Sequence, residues 1–487
     1  MKQLRNFVAG EWWASEETFE KHSPYDGSLV ASVHVATPAM LDRAAERGQA
    51  AARGEWGRMT VAARVAILRD LSARLKARVD DLVEADVQDT GRSYWQARNF
   101  DGLRSISLMD GYCDMALGLE SRASTFNAGV AGEGFWYTVR RPKGVIGCIA
   151  PWNVPLSMVL LKMAPALIMG NAVIAKPSEE TPSSCTVLAE VVAQSGLPAG
   201  AFSMLHGFGA GSVGEWITRH PGVDAISFTG ESATGAAIMK SAADGLRDVA
   251  FELGGKNAAL VFGDADMGRT IEGVTRSAFF NCGQICFGTE RAYVHRSRYQ
   301  EFLERLSSAA RGIVIGAREH PGFSIGPLIS RHHRDKVLDL VGSIREAGGQ
   351  IVLGGGIPVF DDDRDQGAFV EPCIATGLPE DARFVRHEVF GPVLHVTPFD
   401  DEAQAIQMAN DSPYGLATSI WTNDISRAHR VAPQIQVGHA WINSWQVRDL
   451  HSPITGAGLS GIGEQFGRSS LEFCTKPQTI TVRVFPE

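Results

Sequence analysis

The sequence predicts an α/β protein with two alternating parallel-sheet domains and a small strand extension. Three observations predict it. The chain has 487 residues, too many for one ordinary core. Strands and helices alternate from residue 144 to about residue 443 at the pitch of a parallel sheet covered on both faces. Two further strand-like segments, one of them at the chain end, stand outside that alternation.

The elements follow in order. From Pro38 to Val87 the pattern is helical, with Leu41, Ala44, Ala45 and Gly48, then Val61 to Val83, spaced by three and four. A second helical stretch covers about Leu103 to Gly118, and Phe135 to Arg141 reads as a strand. GVIGCIAP (144–151) is a short buried strand ending in a turn. Leu156 to Met169 is a helix, and AVIAKPS (172–178) is a strand that stops at its proline. Thr186 to Ser195 is a helix, FSMLHG (202–207) a strand, Val213 to Arg219 a helix, Ala225 to Thr229 a strand and Ala236 to Ala243 a helix. A second alternating half runs from near Ala258 to about Asn443, and TITVRVF (479–485) alternates like an edge strand. No long linker separates the halves, so they should pack closely.

Composition narrows the function classes. Apolar residues make up 44% and charged residues 21%, the balance of a soluble globular protein. The net charge is −9 without a basic run, which argues against nucleic acid or an anionic membrane as partner. The start, MKQLRNFVAGEWW, lacks a continuous apolar segment, so no signal peptide is read. Met158 to Ala175 is apolar but interrupted by Lys162, Pro165, Gly170 and Asn171, which fits a buried helix running into a strand better than a membrane span. Seven scattered cysteines fit a reducing, cytoplasmic setting rather than a disulfide framework.

General motifs give near misses. Gly209, Gly211 and Gly214 match G-x-G-x-x-G between a strand and a helix, a modest signal among 52 glycines. GESATG (230–235) resembles a nucleophile elbow, but its second glycine falls one residue late. Cys282 and Cys286 are four apart, yet no His or Cys pair completes a zinc site, and no metal is expected. The sharper signal is Asn281-Cys282-Gly283-Gln284-Ile285-Cys286, a thiol after a small polar turn whose backbone N–H groups can lower its pKa and hold an oxyanion. Upstream, Glu252 precedes Gly254 and Gly255, which allow close backbone approach and give the carboxylate room to swing. Asn153 sits between Pro151 and Pro155 at a strand end, where its amide can donate to an oxyanion.

Together, PWNVPL, AKPSEETP, FTGE, FELGGKN, FNCGQICFGTER, EVFGPV and WINSW resemble the aldehyde dehydrogenase superfamily, in its order and over nearly the whole chain. The resemblance implies NAD-dependent oxidation of an aldehyde to an acid through a thiohemiacetal and a thioester. It makes Cys286 the nucleophile, Glu252 the general base and Asn153 the oxyanion donor. Lys176 and Glu179 resemble the pair that holds the adenosine ribose, and Glu388 and Phe390 lie at the nicotinamide ribose. Trp152 and Gly230 line the cofactor path. The glycines at 209–214 then form an adenine-side turn, since this family binds NAD without the usual fingerprint. The domains implied are a Rossmann-like NAD-binding domain (1–120 and 142–254), a catalytic domain (255–469) and a bridging segment (121–141 and 470–487) that makes a homodimer or homotetramer. Glu252 distinguishes hydrolysis from transfer of the acyl group to coenzyme A, whose enzymes normally lack that base.

The nearest branch is the one acting on 2-hydroxymuconic and 2-aminomuconic semialdehydes. Glu231, where many members have serine, is shared with it, as are RRPKGVIG (140–147) and WINSWQVRDL (441–450). Arg104 and Arg448 match two arginines taken to grip the substrate's carboxylate, for which a guanidinium fork is suited. The competing reading pairs Arg104 with Asp101 and Arg448 with Asp449. Two stretches, GLRSISLMD and HSPITGAGLSG, depart from the branch, which leaves an aromatic or aliphatic aldehyde as the alternative substrate. A non-catalytic homologue, the alternative of another class, would be expected to lose Cys286, Asn153 or Glu252.

Overall fold

Apolar runs that read as buried strands assemble into two large sheets in the computed structural model, which describes residues 2–485. In the first sheet Val145–Ile149, Ala172–Lys176 and Phe202–Met204 run outward in sequence order. The chain then crosses back to lay Ala225–Thr229 and Asp248–Glu252 on the other side of Val145–Ile149. All five strands are parallel, and antiparallel edges are added by Gly461–Ile462 on one side and by Asn6–Val8 with Glu11–Trp13 on the other. The order reverses between Val145–Ile149 and Ala225–Thr229, and ligands of such sheets lodge beyond the carboxyl ends at that point.

The second sheet is parallel from Cys373–Thr376 through Val393–Phe399, Thr289–His295, Asn257–Val261 and Ala417–Trp421 to His439–Ile442, with Gln350–Leu353 antiparallel at one edge. Only Leu253–Lys256 separates the last parallel strand of the first sheet from Asn257–Val261 of the second. The carboxyl ends of one sheet are thereby brought to the amino ends of the other. A third, antiparallel sheet joins Thr475–Val484 to Glu133–Pro142 over ten residue pairs, with Ala123–Asn127 beyond.

The main elements follow the sequence reading, with shifts that have local causes. The helix expected from Thr186 begins at Ser183, because the buried Asp89 carboxylate accepts from Ser183 N at 2.7 Å and from its hydroxyl at 2.8 Å. The strand expected over 202–207 is only Phe202–Met204. Met158 to Ala175 folds as expected, the helix Pro155–Ile168 followed by the strand Ala172–Lys176, and no helix among the described residues is long and apolar enough to cross a membrane. Short strands at Lys2–Leu4, Asn6–Val8, Glu11–Trp13, Thr18–His22 and Leu29–His34 had no clear period to announce them. A π-helical turn, Ala97–Gly102, precedes the helix Leu103–Leu117. Such turns re-aim side chains within a helix. Here the turn carries Phe100 just before Arg104.

Candidate active site

The predicted catalytic and cofactor residues stand at the carboxyl ends of the first sheet's strands and just ahead of strands of the second. Trp152 and Asn153 follow the strand ending at Ile149, Lys176 ends its strand and Glu179 follows it, Gly230 follows Thr229, and Glu252 ends the strand at the sheet margin. Cys286 precedes the strand Thr289–His295 of the other sheet, and Glu388 and Phe390 precede Val393–Phe399.

The cysteine loop is set by three successive left-handed residues, Asn281 (φ 54°), Cys282 (φ 56°) and Gly283 (φ 72°). Asn281 tolerates this because its side chain is held: it accepts from Gln96 Nε2 at 3.0 Å and donates to the Asn153 carbonyl at 3.1 Å. At Gly283 a Cβ would lie 1.8 Å from the Gly391 carbonyl oxygen, so only glycine fits. Cys282 is consequently not on a helix face beside Cys286. It is fully buried in the core of the second sheet. Asn153 Nδ2 donates to the Gln284 carbonyl at 2.9 Å, tying the asparagine to the same loop. The helix after it starts at Pro155, where the buried Asp101 carboxylate accepts from Leu156 N (3.2 Å) and Ser157 N (2.8 Å).

Cys286, Glu252, Asn153, Arg104 and Arg448 all line one cleft. The expectation of a lowered thiol pKa is overturned. Burial, and then the Glu252 carboxyl beside it, push the Cys286 thiol well above its ordinary range, while Arg448 pulls the other way. Burial likewise raises Glu252, against the Cys286 thiol, Lys162 and Arg448, which lower it. One Glu252 oxygen, Oε1, is buried with no partner. A buried acceptor left open in this way is costly unless a water or a reacting group fills it.

Neither arginine takes the local partner the alternative required. Asp449 is engaged with His451 at 2.5 Å, and Asp101 caps the helix and approaches Arg92 at 4.0 Å. Arg448 instead lies 4.4 Å from the Phe466 ring centre and 5.3 Å from that of Phe287, with its Nη1 buried and unpartnered. Burial, and next the nearby Arg104, lower its pKa to about 10. Arg104 stands 5.4 Å from the Phe100 ring centre and is likewise lowered by burial.

Two groups in this neighbourhood were not anticipated. Gln446 lines the cleft with its Oε1 buried and unpartnered, on a left-handed backbone (φ 55°), two residues before Arg448. Lys162, buried in the helix Pro155–Ile168, donates to Thr229 Oγ1 at 2.7 Å and is lowered by burial to about 8. Its position in an apolar run was the only sequence signal.

On the other side of Cys286, Glu388 accepts from Gly255 N at 2.7 Å and is raised to about 8, chiefly by burial. Gly254 permits this approach, since a Cβ there would lie 2.3 Å from Glu388 Oε2. Trp152 meets Phe390 and His333 edge-on at 5.3 and 5.4 Å. Lys176, buried, donates to Glu179 at 3.2 Å and to the Pro177 carbonyl at 3.1 Å. Glu231 turns outward, with its side chain 66% exposed and 3.7 Å from Lys336.

A thiol, a carboxyl and an amide converging on one cleft between two α/β sheets have the composition of a thiol-dependent enzyme site. The chain belongs to the aldehyde dehydrogenase family, whose profile matches residues 12–480. It is 45% identical to a 2-aminomuconic 6-semialdehyde dehydrogenase from Pseudomonas sp., covering 100% of this chain and 99% of that one. It is also 45% identical to a 2-hydroxymuconic semialdehyde dehydrogenase from Pseudomonas sp. strain CF600, covering 99% and 100%. A betaine aldehyde dehydrogenase from Staphylococcus aureus, solved in complex with NAD+, superposes with a TM-score of 0.94 at 32% identity, covering 99% of this chain and 95% of that one.

Proposed function

We propose that this enzyme oxidises an aldehyde whose far end carries a carboxylate, through a covalent thioester on Cys286, with NAD as the oxidant. The observation that carries the substrate reading is the pair Arg104 and Arg448, two guanidiniums without a carboxylate partner that line the Cys286 cleft, where Arg104 disfavours the charged form of Arg448. Half-buried like charges of this kind are unfavourable until an anion is placed between them. The muconic semialdehydes named in the two relatives have an acid at one end of a planar unsaturated chain and an aldehyde at the other. They combine an acid with an aldehyde, as the cleft combines two cations with a thiol.

NAD fits the residues at the first sheet's carboxyl ends. The Lys176 ammonium has three protons and two partners, which leaves one for a ribose hydroxyl, and the partly exposed Glu179 carboxylate can accept from the same sugar. Glu388 and Phe390 would hold the second ribose, with Trp152 and Gly230 along the path. When bound, the cofactor accepts the hydride from the substrate carbon. A carboxylate at Glu179 accepts from a 2′-hydroxyl but repels a 2′-phosphate. NAD should therefore exceed NADP in kcat/KM by at least about tenfold. Equal efficiency would show that Glu179 serves another purpose.

The thiol rests protonated, so attack on the aldehyde needs a base, and Glu252 stands beside it; the proton it takes passes to solvent before hydrolysis begins. Sulfur adds to the carbonyl carbon, and the resulting oxyanion accepts from the Cys286 backbone N–H and from Asn153 Nδ2, which leaves the Gln284 carbonyl to do so. After hydride loss the carbon is a thioester. Glu252 takes a proton from water as the water oxygen attacks, the C–S bond breaks, and the Cys286 sulfur recovers the proton.

Arg448→Ala tests the substrate reading. Loss of one charge-assisted contact costs about 1.5–3 kcal/mol, roughly 10- to 150-fold in kcat/KM for an acid-bearing aldehyde. With hexanal the fall should be smaller, arising only because Arg448 also steadies the thiolate and the Glu252 carboxylate. Arg104→Ala should act in the same direction. Equal losses with both aldehydes, followed by NADH absorbance, would make the arginines structural and return the substrate to an unspecified aldehyde.

The domain boundaries given above and a dimer or tetramer belong to the same proposal. Phe135, Val139, Val482 and Val484 are exposed on the third sheet, an apolar surface that a second copy would cover.

A further inference from the structure

A third arginine stands outside the pair. Arg276 is exposed on the helix Met267–Phe279, its guanidinium 5.9 Å from the Phe100 ring centre and 5.8 Å from that of Phe280. Arg104 lies against the same Phe100 ring. The two rings pack at 4.3 Å and form a shared wall. Phe100 lines the Cys286 cleft, and Phe280 lines an outer, open cleft together with Arg276 and Trp95. No carboxylate of the described residues lies within 4.0 Å of the Arg276 guanidinium, and Glu272, one turn earlier on the helix, lines the outer cleft without reaching it.

Resting on the acid-bearing substrate proposed above, we infer that Arg276 is the outermost of three guanidiniums, Arg276, Arg104 and Arg448, that draw an anionic aldehyde from solvent into the cleft. The need is physical. With a net charge of −9 the enzyme repels an anionic substrate at long range, and only a local positive potential at the cleft mouth reverses that. Phe100 and Phe280 hold the Arg276 cation over apolar surface, where it is screened less than a free surface charge. Its field already reaches inward, since it disfavours the charged form of Arg104 after burial does. An anion arriving between them relieves that repulsion and gains from both.

Arg276→Met keeps an apolar stem over the two rings and removes the charge, whereas Arg276→Lys keeps the charge. Steady-state kinetics of the full chain with NAD, using 2-hydroxymuconic semialdehyde and hexanal across a salt series, test the inference. Arg276→Met should lower the ratio of kcat/KM for the semialdehyde to that for hexanal by about 3- to 10-fold at low salt. The change should fall on KM rather than kcat, with a flatter salt dependence, and Arg276→Lys should restore most of the ratio. An unchanged ratio and salt slope, or an equal loss on both aldehydes, would overturn the inference. A wild-type enzyme without preference for the semialdehyde would instead defeat the substrate proposal itself.

Discussion

Cys286→Ala should leave no measurable NADH formation with any aldehyde, a fall of at least about 10⁴-fold. The expectation rests on access as much as on chemistry. Cys286 is the one half-exposed cysteine, and the six others are buried. Cys282, its neighbour in sequence, is walled into the second core, where burial alone pushes its thiol up. Cys282→Ala should therefore retain turnover. Near-normal turnover by Cys286→Ala would remove the nucleophile from the account.

Glu252→Ala should separate the two halves of the reaction. The variant should release a burst of NADH and then stall, with the acyl-enzyme visible by intact mass. Its steady-state rate should fall by about 10²- to 10⁴-fold, the range for loss of a general base. The burst survives because the carboxyl beside the thiol raises the thiol's pKa, so removing it eases ionisation of Cys286 even as it removes the base. The sign of the pH dependence follows from the same burial. A carboxyl held above its usual range stays protonated to higher pH, and only its deprotonated form accepts a proton from water. Wild-type hydrolysis should therefore rise with pH through that raised value and be lost below it. Glu252→Gln should lack this limb. An unchanged steady-state rate would contradict the general-base role.

Much of the site was legible because its residues sit at strand ends, where Pro151, Pro177 and Gly230 mark the turns. The alternation that predicts a parallel sheet also predicts that those ends carry ligands. The bonds that shape the site were less legible. Asn281 is left-handed because Gln96, about two hundred residues earlier in sequence, holds its side chain, and no local pattern records that contact. The lowered thiol expected from the turn around Cys286 failed for a related reason. Burial, and the Glu252 carboxyl brought from the other sheet, raise the thiol instead. The arginines show the opposite case. Asp101 and Asp449 were plausible local partners, but each is occupied elsewhere, and this leaves both guanidiniums facing the cleft.

The central claim joins aldehyde oxidation on Cys286 to recognition of a carboxylate by Arg104 and Arg448. It is tested most directly by comparing wild-type kcat/KM for 2-hydroxymuconic semialdehyde with that for hexanal, with NAD, by NADH absorbance. The account predicts that the acid-bearing aldehyde is favoured by at least about tenfold, the least expected for one charge-assisted contact. Equal efficiency, or a preference for hexanal, would contradict it.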